Sequence, residues 1–229
     1  MFYVRQKEVQ KAIDLARKYE KGAPPLLTGR ILAGAVRAKR PDPSTEADVV
    51  KWLDDAQRAA AGDAALEAAL IGCRAELLDA QGKHAEALAE YAKSLAKAKS
   101  DLMVNNYCVL LALVEPRRAG DGLKLMNELI GVRGPVPAFL DSRALLNIAL
   151  GNPADAEKDV RLALVQHESA AYRFHLGWAL DLDGKDDKRP QIAKELEQAK
   201  RLGLTAADLH PLELKRYAEL MTKFKLKVD

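Results

Sequence analysis

A column of small and large residues returns along this chain at a nearly constant interval, and it constrains the fold more than any single motif does. Ala87, Gly122, Ala156 and Ile192 hold a small or apolar place, separated by steps of 35, 34 and 36 residues. Tyr91, Met126, Val160 and Leu196 follow four residues later, and Ser94, Leu129, Ala163 and Ala199 three after that. Offsets of four and seven fall on one face of a helix. A step of about 34 residues is the length of one helix–turn–helix unit, and such a unit cannot bury its apolar face alone. Copies must therefore stack.

The most regular copy spans 68–101. Leu70, Ile71, Ala75 and Leu78 mark the apolar side of its first helix, and Ala87, Leu88, Tyr91, Ser94 and Leu95 mark the second, with a turn at Gly82-Lys83. Spacing alone fits several α-solenoids. The small–large–small order narrows the choice, as does the glycine five residues upstream of it, Gly82 before Ala87 and Gly151 before Ala156. Leu176-Gly177 adds a Leu-Gly pair inside a first helix, NNYCVLLAL occupies 105–113, and GLTAADLHPLE occupies 203–213. On these residues the chain resembles the tetratricopeptide-repeat family over roughly two thirds or more of its length, and in particular the C-terminal repeat region of bacterial members. The resemblance implies an all-α, right-handed α-solenoid with a C-terminal capping helix, whose first helices line a concave protein-binding face.

Organisation follows from the breaks. A leading helix with its linker covers 1–25, ending at the Pro pair of KGAPPL, which is incompatible with continued helix. A degenerate pair covers 26–67, interrupted by PDPST, where Ser44 or Thr45 is expected to cap a helix over 46–61. Repeats are expected over 68–101, 102–136, 137–168 and 169–204, the last with an insertion in its turn. Pro137 and Asn152-Pro153 are helix-start signals. The cap covers 205–229, started by Thr205, with Lys215, Arg216, Lys223 and Lys225 outward and Leu212, Tyr217, Leu220 and Phe224 inward. No comparable cap closes the N-terminal side, which is expected to continue into a longer protein.

The bulk properties exclude several function classes. The chain is 48% hydrophobic but only 5% aromatic, which suits helices packed closely through small side chains. Charged residues make up 30% of the chain and nearly cancel, leaving +3, so nucleic acid and anionic membrane are not expected partners. The two cysteines, Cys73 and Cys108, have no CxxC spacing and are expected to be reduced and buried. No apolar run approaches the ~20 residues that span a bilayer, and MFYVRQKEVQ lacks a signal-peptide core, so a cytoplasmic location is expected.

No GxGxxG, P-loop, HExxH or GxSxG pattern is present, and His84, His167, His175 and His210 have no recognisable catalytic constellation. The Asp/Lys-rich turn after Leu182 lacks the order of an EF-hand. Neither enzyme activity, metal nor cofactor is expected.

Carrying the family's first-helix positions onto this chain places Glu76, Asp79, Tyr107, Leu111, Asp141, Ser142, Leu145, Phe174, His175 and Trp178 on or near the concave face. Such a set suits a partner protein or peptide with apolar anchors and a basic residue. Leu111, Leu145 and Phe174 read equally well as core between repeats. The clamp that some family members use for a terminal carboxylate is not expected, because Asn105 and Asn106 lack an accompanying basic pair and Gly72, Cys73 and Glu76 occupy the matching face. The expected function is a protein-interaction scaffold. The alternatives are self-assembly through the helix at 4–20 and a regulatory C-terminal region of a larger protein.

Overall fold

The computed structural model describes residues 43–227, together with residues 14, 18, 27–29 and 31. The expected leading helix at 4–20 lies outside the described residues except for Asp14 and Lys18, both helical. Among the described residues all regular structure is helical. The helices are α1 (Pro43–Ala59), α2 (Ala64–Ala80), α3 (His84–Lys97), α4 (Asp101–Val114) and α5 (Ala119–Arg133). They continue with α6 (Pro137–Ala149), α7 (Pro153–Gln166), α8 (Ala170–Leu182), α9 (Arg189–Arg201) and α10 (Leu214–Lys223).

Local chemistry explains most boundaries. Gly82 and Gly151 adopt φ of 79° and 73°, the left-handed region where a side chain is strained. There the Lys83 N–H reaches the Leu78 carbonyl at 2.9 Å, and the Asn152 N–H reaches that of Asn147 at 2.8 Å. Each bond closes a Schellman turn, ending α2 and α6 and reversing the chain. Pro137 and Pro153 stand at the starts of α6 and α7, where a missing N–H costs nothing. Two starts differ from expectation. Helix α1 begins at Pro43, ahead of the expected start at 46. Thr205 does not begin a long helix. Its N–H and hydroxyl both bond Asp208 at 2.8 Å, closing the short 3-10 turn Ala206–Asp208.

The chain divides into two compact units, Met1–Met103 and Val104–Asp229. In the first, α1 packs on α2 and α2 pairs with α3. Val49, Leu53, Ala56 and Ala60 of the α1 segment meet Leu70, Cys73 and Leu77 of α2, with Trp52 against the edge. The column residues Ala87, Tyr91 and Ser94 are all buried, and the Ser94 hydroxyl donates to the Ala68 carbonyl at 2.7 Å, pinning α3 to α2.

In the second unit each helix packs on its sequence neighbour from α5 through α9, and the first helices α6 and α8 also meet directly. The column is fully interior: Gly122, Met126, Leu129, Ala156, Val160, Ala163, Ile192, Leu196 and Ala199 are all buried. A Cβ on Gly122 would stand 2.7 Å from a Leu146 methyl and 3.2 Å from one of Leu111, so α4, α5 and α6 converge there on a bare backbone. Within each unit the architecture is all-α, with helix hairpins packed in sequence order.

Helix α10 has Tyr217, Leu220 and Met221 buried and Lys215 and Lys223 exposed. Leu212, expected inward, is 39% exposed. It lies in the 3-10 turn Pro211–Glu213, whose tighter winding sends Glu213 inward in its place. Both cysteines are buried. No described helix is long and apolar enough to cross a membrane.

Candidate functional site: the first-helix face of the C-terminal unit

Seven of the ten residues expected at the binding face are buried, namely Glu76, Tyr107, Leu111, Ser142, Leu145, Phe174 and His175. Asp79, Asp141 and Trp178 are partly exposed. Glu76 and Asp79 belong to the N-terminal unit, where Asp79 at the end of α2 is 2.7 Å from Nδ1 of His84 at the start of α3. The other eight belong to the C-terminal unit. Leu111, Leu145 and Phe174 are core, with at most 4% of their surface accessible.

Polar groups on successive first helices join into a ladder. The Ser142 hydroxyl of α6 lies 2.7 Å from Oδ1 of Asn105 on α4 and 2.9 Å from the Ala138 carbonyl. Nδ1 of His175 on α8 is 2.7 Å from Oδ1 of Asp141 on α6, and its Nε2 is 2.7 Å from Oε1 of Glu213, just before α10. Further along α8, Asp181 binds Nη2 of Arg216 and Nζ of Lys223, both at 2.6 Å and both from α10. Phe174, next to His175 in α8, meets Tyr217 edge-on at 5.8 Å and Trp178 at 6.0 Å between ring centroids.

The electrostatics follow from burial and pairing. Burial alone would lower the basicity of His175, but the adjoining Asp141 and Glu213 carboxylates outweigh it and push the imidazole up to about 10. Burial likewise acts to raise Glu213, yet the charge and hydrogen bond of His175, with the backbone N–H of His210, hold it below the usual carboxylate range. Tyr172, half-buried beside Asp141, has its phenol pushed up to about 12, chiefly by burial and then by the Asp141 charge.

A second set of ion pairs fixes first helices to second helices. Arg143 of α6 grips Asp159 of α7 through two bonds, and Arg173 of α8 reaches Glu195 of α9 at 2.6 Å while holding Glu168 at 2.7 and 2.8 Å. Both carboxylates are buried. Each stands three residues after a column position, Asp159 after Ala156 and Glu195 after Ile192, so the repeat spacing carried a signal for them. Glu213 was legible only as a residue of the cap, since 38 residues separate it from His175 against 34 between Asp141 and His175.

What the arrangement leaves accessible on this face is a set of partly exposed side chains, Asp141, Tyr172 and Trp178. Near them Asn105, Ser142, His175 and Glu213 are hydrogen-bonded, whereas the buried Tyr217 hydroxyl and Arg216 Nε have no hydrogen-bond partner among the described residues. Elsewhere in the unit the most exposed aliphatics are Val132 at 77% and Val165 at 85%. They sit at the ends of α5 and α7, where Gln166 donates to the Pro135 carbonyl at 2.9 Å.

No protein-family model matches the sequence, and no curated protein matches it. Among solved structures the chain is similar to one described as "TPR2AB-domain:pHSP90-complex of yeast Sti1", at 13% identity and a TM-score of 0.38, over 97% of this chain and 94% of that one.

Proposed function

We propose that this chain is a protein-interaction scaffold that receives a peptide segment of a partner along the first helices α6 and α8. The observation that carries the reading is the group of partly exposed side chains Asp141, Tyr172 and Trp178 beside the hydrogen-bonded Asn105, Ser142, His175 and Glu213. A face whose supporting side chains are already fixed loses little entropy on binding. Trp178 offers an aromatic anchor for an apolar partner residue. The charge balance adds a preference. One imidazolium between two carboxylates leaves one net negative charge, and Asp141 is the solvent-edge member at 14% side-chain accessibility, against 5% for Glu213. A basic residue of the partner fits there in competition with the His175 N–H.

The test is replacement of Tyr172 and Trp178 by Ala in the full chain, with circular dichroism to verify helix content. Loss of the wild-type partner at retained fold supports the reading. Undiminished binding by the folded double variant contradicts it.

A further inference from the structure

His175 serves two carboxylates at once, at 2.7 Å from each ring nitrogen. A carboxylate oxygen only accepts, so both nitrogens must carry hydrogen, and of the ring's protonation states only the imidazolium has two N–H groups. The acids come from different elements, Asp141 from α6 and Glu213 from the turn before α10. One proton therefore joins three parts of the unit. The acids are unequal. Glu213 is buried and also accepts the His210 N–H at 2.8 Å, whereas Asp141 lies at the solvent edge.

We propose that His175 is a proton-operated latch on the binding face. With the ring doubly protonated, Asp141 is tied down; when the proton leaves, the remaining N–H stays on Glu213 and Asp141 is released as a carboxylate open to a cationic partner group. A neutral ring must abandon one acid, and the buried one is costlier to leave unpaired, because Asp141 can rehydrate and Glu213 cannot. A cation bound at Asp141 and the proton on His175 then oppose each other, and by linkage each weakens the other to the same degree. The cationic-partner half rests on the binding-face reading above; the proton half does not.

The charged and titratable groups around the ring are accounted for. From α6 it meets Asp141, and from the cap turn Glu213, with His210 beside that carboxylate. Within α8, Tyr172 adjoins Asp141, while Arg173 is engaged by Glu168 and Glu195. From α10, Arg216 is bound to Asp181 and Glu219. The two carboxylates overcome the burial of the ring and hold it protonated well above neutrality, so the latch is closed at neutral pH and opens on the alkaline side.

The experiment is imidazole 15N NMR on the full chain, with the His175 signals assigned through His175→Gln. The expected result is two protonated nitrogens at pH 7 and the Nε2–H tautomer after deprotonation. A neutral ring at pH 7, or the Nδ1–H tautomer, overturns the latch. Because alkaline conditions can unfold the chain, Glu213→Gln and Asp141→Asn are compared near neutrality. Each variant should lower the proton affinity of His175, since both carboxylates hold its proton, and an affinity left unchanged by either one overturns the latch. N-acetyl-arginine amide then probes Asp141 by titration at pH 7 and pH 9. Wild type should bind it at least threefold tighter at pH 9, and Asp141→Asn should lose that gain. The expected tautomer without pH-dependent arginine binding overturns the cationic-partner half and leaves the proton half standing.

Discussion

Arg143 on α6 and Asp159 on α7 form a two-point ion pair, with Nε 2.8 Å from Oδ2 and Nη2 2.6 Å from Oδ1. The Asp159 side chain is only 4% accessible and is paired with this arginine, which Asn127 of α5 also contacts at 2.9 Å. The pair closes the hairpin from inside and ties it to the preceding one.

Removing one partner of such a pair strands the other. Asp159→Ala should destabilise the chain by about 3–5 kcal/mol, while replacing Arg143 and Asp159 together by apolar residues of similar volume should cost far less. Urea denaturation of the two variants measures the difference. Equal losses would show that packing, and not the ion pair, is what Asp159 supplies.

Stability should depend on pH through His175 and Glu213. The folded His175 binds its proton more tightly than the ordinary value of 6.5, so its contribution is complete below 6.5 and disappears as pH rises toward 10. Glu213 is shifted the other way, below 4.5, so its contribution is complete above 4.5 and disappears on acidification. The stability gap between wild type and His175→Gln should therefore be widest between pH 4.5 and 6.5, on the order of 3 kcal/mol, and should narrow on both sides. Chemical denaturation across pH 4–9 checks it, and a pH-independent gap contradicts it.

The small places of the repeat column should resist enlargement. Gly122→Val must push aside Leu146 and Leu111, at a cost of roughly 1–3 kcal/mol, whereas Leu162→Ala, on the 44% exposed outer side of α7, should change stability by less than about 0.5 kcal/mol. Shifts in thermal midpoint separate the two.

The cap should loosen before the repeats. Asp181→Asn weakens the grip on Arg216 and Lys223 together, and hydrogen exchange should then quicken first across 214–223 while α6 and α7 keep their protection. Uniform loss across the unit would instead show that α10 opens only with the whole.

The hairpin array was legible because its signal is periodic. Ala87, Tyr91 and Ser94 repeat at a spacing that only stacked hairpins satisfy, and the glycines ending α2 and α6 are demanded by positive φ. The face was less legible. Asp141 and His175 are apparent as first-helix residues, but an acid and a histidine 34 residues apart announce no bond until α6 and α8 are brought together. Glu213 was hidden further by the short turn before α10, which turns it inward and Leu212 outward. Apolar residues such as Leu145 and Phe174 satisfy the same helical positions whether they line a groove or fill a core, and burial alone separates the two.

The most direct test of the scaffold reading compares two surfaces of one folded chain. A partner captured by the wild-type protein and identified by cross-linking is titrated against Trp178→Ala and, separately, Val165→Asp. The account predicts that Trp178→Ala weakens binding at least tenfold and Val165→Asp leaves it unchanged, both at wild-type helix content. Loss of binding in Val165→Asp with full binding in Trp178→Ala would contradict it and move the interaction to the exposed ends of α5 and α7.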